Sequence, residues 1–264
     1  MTDTSLQSDQ YICNISISIL YISIVKRFPA IGRRHSGDRA MDAWMHEEDE
    51  AGATLAERTY LQLREDIITV KLAPGTLLRE SELMQRLDVG RTPVREALLR
   101  LQRDGFVDVN GRRGTSVSKI DISDLSAIYE ARATIESWAT RLAAERLREP
   151  ERREARKLLE ELAAFSNPPE AQPLLALDRR IHRFIYRAAK NPYLFDTLDH
   201  YHNLSLRILH VATRRFPELM SGLDKVLHEQ TQMLEAVCRG DGETAERIAL
   251  HHVLSFEEDV RKVI

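Results

Sequence analysis

The sequence predicts a mainly α-helical protein in two folded parts: a small helical domain that ends in a β-hairpin, then an antiparallel bundle of six or seven helices. Three observations carry this. Apolar residues recur at helical spacing from Leu55 onward. Two short β-type runs, FVDV and TSVS, flank the turn-forming NGRRG segment. Beyond Asp121 only proline, glycine and asparagine turns interrupt the helical pattern, at helix-length intervals.

The first 53 residues stand apart. ICNISISILYISIV (residues 12–25) is too short to span a bilayer. No Lys or Arg precedes it, as a signal peptide requires. Its isoleucines alternate with serines at strand period, without a visible partner strand, and linker-like GRRHSGDRA and HEEDEAG follow. Residues 1–53 are therefore expected to lie outside the fold as an extension, with Met41 or Met45 as an alternative translation start. The two cysteines, Cys13 and Cys238, form no C-x-x-C pair. A reduced, cytoplasmic protein with no membrane partner is the expectation.

Charge is distributed unevenly around a net of −3. Residues 54–120 carry 12 Lys/Arg against 9 Asp/Glu, a net of +3, whereas residues 121–264 carry 21 against 24, a net of −3. A mildly basic segment between acidic ones permits nucleic-acid contact.

LAERTYLQLREDIITV predicts a first helix from Leu55, and Pro74-Gly75 breaks it. SELMQRL predicts a second, with Ser81 as N-cap. Asp88-Val89-Gly90 forms a tight turn. Thr92 then caps a third helix, with Pro93 at its first position and Gly105 at its end. Helix, helix-turn-helix, then hairpin is the order of a winged helix-turn-helix over residues 54–120. Arg91 and Arg95 sit at the start of the third helix, where exposed N–H groups make cations locally unfavourable. A DNA phosphate relieves that cost, and arginine bonds guanine bidentately. Arg112 and Arg113 give the hairpin a basic tip.

The run LREDIITVKLAPGTLLRESELMQRLDVGRTPVREALLRLQRDGFVDVNGRRGTSV resembles the DNA-binding domain of the GntR family of bacterial regulators. APGTLL, RTPVREAL and the closing G-F-V…R-R-G-T-x-V are its most specific pieces. Gly90 departs from the usual Ser or Thr. The resemblance implies double-stranded DNA as partner. The implied contacts are Ser81, Arg91, Thr92 and Arg95, with Arg113 and Gly114 in the wing, where a backbone close to DNA leaves no room for a Cβ.

Residues 121–264 contain no phosphate loop, G-x-S-x-G or H-E-x-x-H. YEARATIESWATRLAA, LDRRIHRFIYRAAKNPYL and MLEAVCRGDGETAERIALHHV resemble the FadR-type FCD domain of one GntR subfamily. That resemblance implies a bundle that binds a small organic acid and a divalent metal (Zn, Ni or Mn) through an Asp and three His. It also implies a homodimer on an inverted-repeat operator, a repressor whose DNA affinity the acid alters. Asp178 and His182, four apart, share a helix face, and His252 matches the last histidine. The remaining position falls on Gln230, whose neutral amide is a weaker ligand for Zn²⁺ or Ni²⁺ than imidazole. His228 lies two residues away, turned by about 200°. Arg132 and Arg207 match basic positions that face the effector, where a guanidinium suits a carboxylate. Two other readings stay open: a metal-dependent hydrolase or lyase on the bundle, and a pure metal sensor.

Overall fold

The computed structural model describes residues 53–111, 114–120, 122–165, 171–216, 219 and 222–263. The N-terminal extension and the basic tip Arg112–Arg113 lie outside these residues.

Helix α1 spans Leu55–Ile68, started by Thr54, whose side chain accepts a hydrogen bond from Glu57 N at 3.1 Å. Strand β1 (Leu77–Leu78) precedes α2 (Glu80–Leu87) and α3 (Arg91–Arg103). Strands β2 (Val107–Asn110) and β3 (Gly114–Val117) form the wing. The sheet order is β1-β3-β2, antiparallel throughout, with Leu77 opposite Ser116 and Val107 opposite Val117. The hairpin expected from FVDV and TSVS is thus joined by a third strand. Tyr60, Leu63, Ile67, Leu83, Val94, Leu101, Phe106 and Val117 close one core beneath the sheet.

Two helix starts differ from expectation. The α2 N-cap is Arg79 and the α3 N-cap is Gly90, and neither makes a side-chain capping bond. Ser81 and Thr92 lie inside the first turns and are exposed. Asp88 turns the chain in the left-handed region, with φ 51°, and Gly90 follows in extended backbone. The helix therefore starts before Thr92.

Gly114 opens β3 at φ +83°, and a Cβ built there meets no atom within 4 Å. The sign of φ, and not crowding within the protein, is what demands glycine. Gly114→Ala should lower unfolding stability by about 1–2 kcal/mol, read from the urea midpoint at constant slope. An unchanged midpoint would refute the strained turn.

Six helices follow among the described residues: α4 (Ile122–Arg146), α5 (Glu149–Ala163), α6 (Ala171–Ala188), α7 (Pro192–Arg215), α8 (Leu223–Arg239) and α9 (Gly242–Val263). Asn191 caps α7, accepting from Tyr193 N and Leu194 N, with Pro192 in its first turn. Gly240 ends α8 in the left-handed conformation. Ala139, Leu158, Ile181, Phe184, Met233, Val237 and Ala249 belong to the main bundle core.

Helix α7 packs against both parts. Leu206 is buried in the core of the winged domain. Arg207 donates to Ser118 Oγ at 2.8 Å and to the Ser118 carbonyl. Arg214 donates to the carbonyls of Thr69 and Val70, each at 3.0 Å. Arg179 of α6 pairs with Glu65 of α1.

Candidate DNA surface and buried histidine site

At the start of α3 both predicted arginines are exposed, and Thr92 is exposed between them. Arg95 Nε lies 2.9 Å from Glu80 Oε1, and Arg91 Nε lies 3.7 Å from Glu80 Oε2. The carboxylate that answers the two cations is thus Glu80 of α2. Exposed pairs of this kind contribute at most about 1 kcal/mol, so Glu80 holds the two guanidinium groups only weakly.

The second site lies inside the bundle. Asp178, His182 and His252 are buried, and each offers a ligand atom within 4.8 Å of the others. Five helices converge here. Helix α6 brings Asp178 and His182, α8 brings Gln230, and α9 brings His252. Arg132 and Glu136 come from α4, and α7 adds His202, which the sequence reading did not single out.

The contacts sort the site. His182 Nδ1 stands 2.9 Å from Glu136 Oε1, and its Nε2 is 3.4 Å from Asp178 Oδ1. His252 Nδ1 stands 2.9 Å from Glu229 Oε2. A carboxylate behind one ring nitrogen leaves the other lone pair facing inward, the arrangement of metal-bound histidines. Gln230 is fully buried and its amide donates to Asp178 Oδ1, while His228 is exposed. His182 Nε2, His202 Nε2 and Gln230 Oε1 are buried without a hydrogen-bond partner. Burying such atoms unpaired is costly.

The carboxylates and imidazoles of the cluster charge one another. Burial lowers the His182 imidazole, but the Asp178 and Glu136 carboxylates outweigh it and lift the group to about 9. Burial raises Asp178, and the facing histidines outweigh it, holding it at about 2. Glu136 is likewise held well below the usual range, against burial, by Arg132 and His182. These groups form a charged cluster sealed from water.

The cavity at the cluster has a volume of about 30 Å³, and Arg132, Asp178, His182, His202, Ser205 and Leu206 are among its walls. One or two water-sized groups fill it. A divalent ion fits both that volume and the converging donors of two imidazoles and a carboxylate.

Of the two expected effector residues, one lines this cavity and one does not. Arg207 does not reach this cavity. It sits one residue past Leu206, turned by about 100°, and is spent on Ser118. Burial pushes its guanidinium down to about 10, opposed only by Asp108. Arg132 does line the cavity, but its Nε and Nη2 both lie 2.9 Å from Glu136 Oε2. A two-pronged grip on a ligand therefore requires breaking a buried pair.

Comparison with known proteins agrees with this architecture. Residues 55–117 match the family described as bacterial regulatory proteins, gntR family, and residues 127–255 match the FCD domain. The chain is similar to the HTH-type transcriptional repressor RspR of Escherichia coli K12, at 27% identity over 207 residues, 78% of this chain and 89% of that protein. It is similar to the HTH-type transcriptional regulator YdhC of Bacillus subtilis 168, at 28% identity over 208 residues, 78% and 90%. The solved structure of E. coli McbR/YncC shares the fold, with TM-score 0.70 at 22% identity, covering 80% of this chain and 98% of that one. No helix among the described residues is long and apolar enough to cross a membrane. The matched families are regulators and not enzymes, so the hydrolase or lyase reading falls away. The chain belongs to the GntR family of bacterial regulatory proteins, in the group that joins the DNA-binding domain to an FCD domain, and it is a DNA-binding transcriptional regulator.

Proposed function

We propose that the protein is a homodimeric repressor whose operator affinity is set by a small organic acid bound beside a divalent metal ion in the bundle. Asp178, His182 and His252 would hold the ion, with the Gln230 amide oxygen as a weaker fourth donor. The ion would supply a positive charge for the acid's carboxylate. Ser81, Arg91, Thr92 and Arg95, with Arg113 and Gly114 in the wing, are assigned to the operator. A two-fold dimer on two half-sites matches an inverted repeat.

One observation carries the regulatory part: Leu206 of α7 belongs both to the cavity wall and to the core of the winged domain. A cavity of 30 Å³ is too small for an acid of several carbons. Such an acid must displace a wall, and the α7 wall is held to the winged domain by Leu206, Arg207 and Arg214. The acid shifts the operator equilibrium only by its different affinity for the two arrangements.

The test is an operator titration at fixed salt with metal-stripped and metal-loaded protein, with and without a panel of small carboxylates. DNA for the titration is selected from random sequence by the protein itself. At least one acid should weaken binding fivefold or more, and only with metal present. Arg207→Ala should leave acid binding in place while reducing that response to less than half. A response that survives intact in Arg207→Ala excludes this route, and a panel with no effect on DNA binding excludes the effector.

A further inference from the structure

The histidines of the site fall into two chemical classes. His182 and His252 have carboxylates at Nδ1, 2.9 Å away in each case. His202 has a guanidinium there: Arg132 Nη2 lies 3.3 Å from His202 Nδ1. Arginine has donors only and does not lose its proton. Its contact with Nδ1 requires that Nδ1 be the acceptor, and in a neutral imidazole the proton must then sit on Nε2. A doubly protonated ring would set an N–H against the guanidinium's own, so the contact itself makes this buried His202, 2% exposed, neutral. His202 is one wall of the cavity, and its Nε2, 3.5 Å from Asp178 Oδ2, farther than an ordinary N–H···O bond, has no hydrogen-bond partner.

We propose that His202 is not a ligand to the metal but the hydrogen-bond donor that recognises the effector's carboxylate, with Arg132 acting through it. This rests on the metal-and-acid reading above and gives it a residue for selectivity. A nitrogen that carries a proton has no lone pair for a cation. It does have a proton to give to an oxygen anion, and its cavity position puts that proton where an acid must lie. Arg132, whose Nε and Nη2 are engaged by Glu136, fixes the tautomer. The site then has a cation-holding side (His182, His252, Asp178) and an anion-reading side (His202).

Two measurements on the full chain decide it. The first is long-range proton–nitrogen NMR of metal-free protein labelled in histidine, with His202 assigned by substitution. It should show Nε2 protonated and Nδ1 bare. The opposite tautomer overturns the proposal whether or not the protein binds metal. The second compares wild type, His202→Leu, His202→Gln and His252→Ala by calorimetry, with Ni²⁺ first and then acetate or inorganic phosphate on loaded protein. Ni²⁺ affinity should stay within about threefold of wild type in both His202 variants and collapse in His252→Ala. Acetate affinity should fall tenfold or more in His202→Leu and recover at least in part in His202→Gln, whose amide restores a donor. A tenfold loss of Ni²⁺ affinity in both His202 variants makes His202 a ligand and sinks the idea. So does undiminished acetate binding in His202→Leu, or binding of phosphate in preference to acetate. Failure of wild type to bind Ni²⁺ counts against the metal site itself, and the tautomer still judges His202.

Discussion

Arg91→Ala combined with Arg95→Ala is expected to weaken operator binding by about one to four orders of magnitude, with the fold intact. Each guanidinium that reads a base edge contributes roughly 1–3 kcal/mol. The effects should not sum fully, because both arginines face Glu80 in the free protein and neighbours that share a partner couple. That shared carboxylate supplies a control. Glu80→Gln removes an internal competitor for the same donors and should tighten binding a few-fold at low salt, less as salt rises. The double variant should melt with the wild type, since both side chains are exposed and Val94, Ala97, Leu98 and Leu101 supply the buried face of α3. Gel-shift titration at fixed salt on the selected operator reads the affinity. Binding of the double variant within threefold of wild type would show that α3 does not enter the groove.

Much of this architecture was legible because it rests on local patterns. Leu63, Ile67, Val94 and Leu101 repeat at helical spacing and all face the first core. Asp178 and His182 announce a shared face by their four-residue step, and Gln230 keeps its register because α8 is one unbroken helix. What was missed depends on partners distant in sequence. Strand β1 has two residues and exists only through its pairing with β3, so no period reveals it. The caps failed because Ser81 and Thr92 have the right chemistry for that position, but the turn at Asp88–Gly90 sets where α3 begins. Arg207 matches a basic position of the family pattern, but one residue of helix past Leu206 carries its side chain from the cavity to Ser118. His202 left one usable signal. With Ser205, Leu206 and Leu209 it marks the inward face of α7 at i, i+3, i+4 and i+7, and a polar group on such a face needs a reason.

The proposed metal site gives the other large effect. His182→Ala should reduce affinity for Zn²⁺ or Ni²⁺ by on the order of a hundredfold or more, because it removes a proposed ligand whose ring is already oriented by Glu136. Glu229→Gln, which touches no ion, should cost roughly 10–100-fold through His252. The response at Gln230 has the opposite sign. Its amide now donates to Asp178 and leaves its oxygen unpartnered, so it contributes a neutral oxygen where an imidazole would bring nitrogen. Gln230→His should raise Ni²⁺ or Zn²⁺ affinity about tenfold and leave Mn²⁺ nearly unchanged, since harder ions gain less from nitrogen. The deciding quantity is therefore a ratio, Ni²⁺ over Mn²⁺ affinity, from calorimetry on metal-stripped wild type and variants. A simple repacking defect would lower both metals together. Only a residue that faces the ion changes their ratio, and an unchanged ratio in Gln230→His would remove Gln230 from the coordination sphere and leave Asp178, His182 and His252 as its protein ligands.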